Sequence, residues 1–160
     1  MAGGWQIPEP EPGPAPGVAF AGFGERLVAY IVDAIIVGVV ILAVSIVGGL
    51  VIAGGAATGG AGAVIGGGLF LVVAILVVSL GYFPFFWARD GATPGMRMFG
   101  LMVVRDSDGG PISGGQAILR LIGYWISSLV FYLGYIWIFI DKRRRGWHDL
   151  IAGTVVVQRR

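Results

Sequence analysis

The chain has 160 residues, of which 56% are hydrophobic and only 12% charged, with a net charge of +2. An ordinary soluble domain carries about a quarter charged residues, so this composition excludes one and predicts an integral membrane protein with the lipid bilayer as its first partner. The small net charge gives no support to nucleic-acid binding, and the absence of Cys removes thiolate and Cys-metal chemistry. A single His, His148, leaves no multi-histidine metal site, and no cofactor is expected.

Residues 1–24 hold Pro8, Pro10, Pro12, Pro14 and Pro16 with Glu9 and Glu11, and lack Lys and Arg. They are predicted to form a disordered tail, partly polyproline II. Ala19-Phe20-Ala21 resembles a signal-peptidase box, but neither a basic segment nor an apolar run precedes it, so a cleaved signal peptide is not expected. Residues 25–157 make up the membrane domain, and 158–160 a basic end. Leu27 to Ala53 contains one charge, Asp33, and is the first predicted transmembrane helix. Gly54 to Gly68, with eight glycines and no charge, is predicted as a plain turn, the alternative being an ion-lining loop. Val64 to Ala88 is the second span. It closes on Tyr82, Phe83, Phe85, Phe86 and Trp87 around Pro84, a cluster that suits an interfacial belt.

Arg89 to Arg120 is a polar interlude with a β-prone run, Met98 to Arg105, and a hairpin turn from Asp106 to Pro111. Asp106-Ser107-Asp108-Gly109 begins like a calcium loop, but the position that would need a bidentate Glu is Ala117. Thr93-Pro94-Gly95 lacks the Gly-Lys-Ser/Thr ending of a phosphate loop and is predicted as a turn. Leu121 to Ile140 is a third apolar segment, closed by Asp141 and the basic run Lys142, Arg143, Arg144 and Arg145. That run is a topology determinant and a candidate site for anionic lipid headgroups. A second β-prone run follows at Val155 to Val157.

The positive-inside rule puts the interlude in the cytoplasm. If Leu121 to Ile140 crossed once, the strongest basic cluster would lie outside. A re-entrant hairpin bent near Leu133-Gly134 avoids this, and both arrangements stay open. The hairpin would let Leu101 to Arg105 pair with Thr154 to Gln158 on one face as a small cytoplasmic β-element. The fold class is thus all-α integral membrane, with two transmembrane helices, a third membrane segment and that β-element.

Ala21-Gly22-Phe23 leading to Arg26 and Asp33, Gly91 to Leu101 around Thr93-Pro94-Gly95, Asp108-Gly109, Arg120, and Asp141 to Thr154 occur in the order found in the RDD family of small bacterial membrane proteins, which the chain resembles from Gly22 to Val157. The resemblance implies a multi-pass protein of the bacterial cytoplasmic (inner) membrane. It also implies a link to transport of unidentified ligands, sodium/proton exchange among them. The family's named arginine and two aspartates fall on Arg26, Asp33 and Asp149. Met96 stands where the family pattern has Lys, so any cation role there passes to Arg97 or lapses.

Asp33 lies two helical turns after Arg26 with Tyr30 between them, so the three share one face. Counted from Leu27, Asp33 sits roughly 9 Å into the apolar layer, where an unpaired carboxylate costs about 2.5 to 3.5 kcal/mol. It is expected to face protein or water, either as an ion or proton site or as a structural partner of an arginine from another helix. Arg120 and Asp149, both beside a membrane boundary, are the expected further partners. His148 next to Asp149 suggests a proton relay, but without a Ser or Cys partner it makes no hydrolase site, so no catalytic residue is assigned. Two functions remain: transport or ion exchange centred on Asp33, or a non-transporting adaptor that binds a membrane-protein partner through the interlude and tail. Gly-rich helix faces suggest a homo-oligomer in either case.

Overall fold

Lipid offers the backbone no hydrogen-bond partners, so a long apolar run satisfies its own N–H and C=O groups as a helix. In the computed structural model, which describes residues 18–131 and 133–159, this produces α1 (Phe23–Ala57) and α2 (Ala61–Asp90). Both are long and apolar enough to cross a membrane. Only Thr58 to Gly60 separates them, so most of the expected Gly54–Gly68 turn is helical instead. The physical reason is close packing: Gly55 lies against Ala63 and Gly48 against Leu71, contacts that a larger residue would block. Thr58 then ends α1, its hydroxyl donating to the Gly54 and Gly55 carbonyls at 3.2 and 3.1 Å.

The short helix α3 (Pro94–Met98) starts from Thr93, whose side chain accepts from the Met96 N–H, with Pro94 in the first turn. Strand β2 (Leu101–Arg105) follows. It pairs antiparallel with β3 (Thr154–Arg159), Leu101 opposite Gln158 and Arg105 opposite Thr154, the pairing expected from the two β-prone runs. The other edge of β3 takes β1 (Val18–Phe20), so the sheet order is β1-β3-β2. The disordered tail expected over 1–24 is therefore corrected at its end: 18–20 form a strand that covers an otherwise open sheet edge, and α1 has begun by 23. The rest of that tail, residues 1–17, lies outside the described residues, as does Arg160.

The turn after β2 is also corrected, because it leads into a helix and not back along a second strand. Ser113 and Gln116 form a reciprocal capping box that starts α4 (Gly114–Leu129). A break follows, then α5 (Leu133–Ile136) and a 3-10 turn (Trp137–Phe139), bent by 111° from α4. Last comes α6 (Trp147–Ala152), leading through Gly153 into β3.

The buried apolar core sits at the sheet end, around Trp87, Met96, Leu101, Val103, Ala117 and Val156. The middle of α1 and α2 contributes little to it. Ile35, Val39, Leu50, Leu69 and Phe70 are all exposed, as lipid-facing side chains should be. The aromatic cluster at the end of α2 divides: Trp87 is buried and Phe83 packs on the core, whereas Phe85 is exposed.

Candidate functional site

Asp33 and Asp149 are both buried, and each collects donors from several elements. On α1, Asp33 Oδ1 accepts from the Tyr82 hydroxyl at 2.9 Å and the Gly95 N–H at 2.8 Å, while Oδ2 accepts from the Thr93 hydroxyl. Thr93-Pro94-Gly95 thus supplies a hydroxyl, a helix start and an approachable backbone N–H to one carboxylate. Gly95 is required by space, since a Cβ there would collide with the Ala29 carbonyl and the Asp33 carboxyl group.

Asp149 gathers the second group. Arg26 Nη1 donates to its Oδ2 at 2.7 Å, Arg120 Nη1 donates to its Oδ1, and the Gly146 N–H donates to Oδ2 at 3.1 Å. The same two arginines reach the sheet. Arg26 donates from Nε to the Ala21 carbonyl at 3.2 Å and from Nη2 to the Val156 carbonyl at 3.5 Å, and Arg120 donates to the Thr154 hydroxyl at 2.9 Å. The Arg120 guanidinium also lies 4.8 Å from the centre of the Trp87 ring, so it joins α2, α4, α6 and β3. Burial opposes the charge on Asp149, but Arg120, His148, Arg26 and the Gly146 N–H outweigh it and hold its carboxyl well below the usual range.

Of the residues expected at the site, Arg26, Arg120 and Asp149 come together, and Asp33 turns to α3 and Tyr82 instead. Tyr30 does not link Arg26 to Asp33. It is half exposed and stacks on Phe83, 5.8 Å between ring centres. Arg97 pairs with Asp90 at 2.6 Å, away from both carboxylates. In the basic run, Lys142 is exposed, and Arg143 and Arg145 each reach Asp106 at 2.9 Å. Arg144 is half-buried with φ 54°. Hydrogen bonds from Arg145 hold the Asp141 carboxyl below its ordinary range against a smaller opposing effect of burial.

A family model for the RDD family matches residues 20–153. The chain belongs to the RDD family. This is a membrane family, which agrees with the two apolar helices. The chain is 34% identical over 87 residues to "Uncharacterized protein YxaI" of Bacillus subtilis (strain 168), a match over 54% of this chain. It covers 56% of that relative, just over half its length. No solved structure matches the chain.

Sequence reasoning missed Thr93, Gly95, Tyr82 and Trp87 as site residues. A Thr before Pro is a helix-start signal, and a helix start attracts a carboxylate, so the first two had a readable cue. Tyr82 and Trp87 had none, because their cluster also suited an interfacial belt.

His148 is buried and stacks on Tyr124 with 4.1 Å between ring centres, and neither ring nitrogen has a hydrogen-bond partner among the described residues. Burial pushes it down from 6.5 to about 3, against the pull of the Asp149 carboxylate. The folded state therefore keeps a neutral ring where the unfolded chain takes up a proton. Between these values the unfolded state binds more protons, so stability falls as pH falls, by about 1.4 kcal/mol per unit once the pH is well below 6.5. Thermal unfolding in detergent from pH 7 to 5 should show this slope, and His148→Gln should flatten it.

Proposed function

We propose that this protein is a non-transporting adaptor of the bacterial cytoplasmic membrane. Two helices cross, the bent third segment enters and returns, and the internal polar groups hold a cytoplasmic sheet and basic tail in position for a membrane-protein partner. The observation that carries the reading is the internal hydrogen bonding of both carboxylates. All four oxygens of Asp33 and Asp149 accept from the chain's own donors, and both residues are buried. A carboxylate that exchanges ions or protons across a membrane needs lone pairs that water can reach. The basic residues support a cytoplasmic sheet, and the pairing of β2 with β3 supports a returning segment, because one strand precedes that segment and the other follows it.

Ion or proton exchange is the second reading. It is favoured by a cavity of about 30 Å³ that borders Arg26, Asp33, Thr93 and Arg120, room for one water between the two polar groups.

Sodium and proton flux in liposomes separates the two. The expected result is no flux above protein-free vesicles for the native chain, and none for Asp33→Asn. Native flux that Asp33→Asn abolishes would establish exchange instead. Topology has its own test in this Cys-free chain. Ser107→Cys and Lys142→Cys, one on either side of the bent segment, should both be shielded from an impermeant thiol reagent in intact cells. Labelling of Lys142→Cys alone would establish a single crossing.

A further inference from the structure

Beside the Asp149 cluster, a cleft of about 370 Å³ opens between the first turns of α1 and the bent segment, within the range of small-ligand sites. Phe23, Leu27, Ile136 and Ile138 make part of its wall apolar, and Arg26, Ser128, Tyr135 and His148 make another part polar. An adjoining cavity of about 180 Å³ shares Tyr30, Tyr124, Ser128 and Tyr135 with the cleft and continues to Ser79 and Trp125, between α2 and α4. Ser79 precedes Asp90, the last residue of α2, by eleven residues, roughly 16 Å along the helix, so this extension runs toward the apolar layer.

From these features we infer that the cleft holds one anionic phospholipid of the surrounding leaflet, its headgroup at Arg26 and His148 and an acyl chain directed toward Ser79 and Trp125. Three observations select this occupant. The first is shape: a cleft whose wall is part apolar and part polar, continued by a second cavity that runs along α2 and α4 toward the apolar layer, suits a headgroup joined to a chain. The second is charge. Arg26 is the charged residue among the described residues of the cleft wall, and it shares the single carboxylate of Asp149 with Arg120, so two guanidiniums meet one counter-charge. The third is His148, which is buried on the wall with neither ring nitrogen hydrogen-bonded among the described residues, Nε2 lying 3.4 Å from Asp149 Oδ2. A buried polar group in that condition has a place for a ligand hydroxyl or phosphate oxygen. The exposed Lys142 on the nearby basic run favours the same sign of headgroup at the surface.

The test is native mass spectrometry of the full chain released from nanodiscs of equal phosphatidylglycerol and phosphatidylcholine with matched acyl chains. The native protein should retain one phosphatidylglycerol in preference to phosphatidylcholine. Leu27→Trp, which fills the cleft from α1, should weaken that retention by about tenfold. Ser128→Trp does the same from α4, in case the first variant fails to fold. The double variant Lys142→Gln/Arg143→Gln should keep the lipid, and inorganic phosphate should not displace it. Equal retention of the two lipids by the native chain overturns the inference without recourse to any variant. So does unchanged retention in both folded cleft variants, loss in the basic-run variant alone, or displacement by inorganic phosphate.

Discussion

Asp149→Ala should destabilise the protein by about 3 to 5 kcal/mol, a large share of a typical folding free energy of about 5 to 15 kcal/mol. The reason is the charge it leaves behind. Arg120 is 1% exposed and the Arg26 side chain 11%, so neither guanidinium can recover the lost carboxylate from water. A fall in thermal midpoint in detergent and in folded yield measures the effect. Asp108→Ala is the control, since its pair with Arg105 is open to water on both sides and should be worth about 0 to 1 kcal/mol. Replacing Arg26 and Arg120 by Met together with Asp149→Leu should recover part of the loss, because it removes the stranded charges along with their partner.

Acid should act on the same cluster. The folded-state value of Asp149 lies below its ordinary one, so its contribution is present above about pH 4 and is lost as pH falls through the folded value. Because His148 has already begun to lower stability from higher pH, acid unfolding should set in gradually and complete before Asp149 is protonated in the native state.

Gly95→Ala should have the second large effect, about 2 to 4 kcal/mol. The added Cβ would meet the Ala29 carbonyl on one side and the Asp33 carboxyl group on the other, and the backbone of α1 cannot give way as a flexible side chain would. Relief requires α3 to move off α1, which breaks the bond from the Gly95 N–H to Asp33 and exposes the Thr93 hydroxyl bond beside it. Thr93→Val should cost about 1 to 3 kcal/mol by removing one donor to Asp33 and the cap of α3. Combined with Asp33→Asn, it should be non-additive by more than about 0.5 kcal/mol, which a double-mutant cycle in thermal unfolding reads directly.

These residues also mark how far the sequence was legible. α1 and α2 follow from uninterrupted apolar runs, and the β2–β3 register follows from two short runs of β-branched residues that charge placement puts on one face. That Arg26 meets Asp149 was accessible by the same logic, since both flank a membrane boundary on one side. Asp33 was harder. Its partner Thr93 is 60 residues away, and nothing local says that a Thr-Pro-Gly turn will dock on a particular carboxylate and not simply reverse the chain. The strand at Val18–Phe20 was hidden for a related reason: a short segment beside a Pro-rich stretch becomes a strand only because the edge of β3 is open to receive it. The extent of the Gly54–Gly68 turn was misjudged because glycine propensity in water is a poor guide where helix packing in lipid decides.

The claim that Arg26, Arg120 and Asp149 hold the sheet to the membrane helices is tested most directly by amide hydrogen exchange on native and Asp149→Asn protein. Val155, Val156 and Val157 of β3 are buried, and Arg26 and Arg120 reach β3 at Val156 and Thr154. Loss of the carboxylate should therefore release β3, raising its exchange at least tenfold, while amides in the middle of α2 keep native protection. Unchanged protection along β3 in a variant whose α2 is also unchanged would contradict that claim.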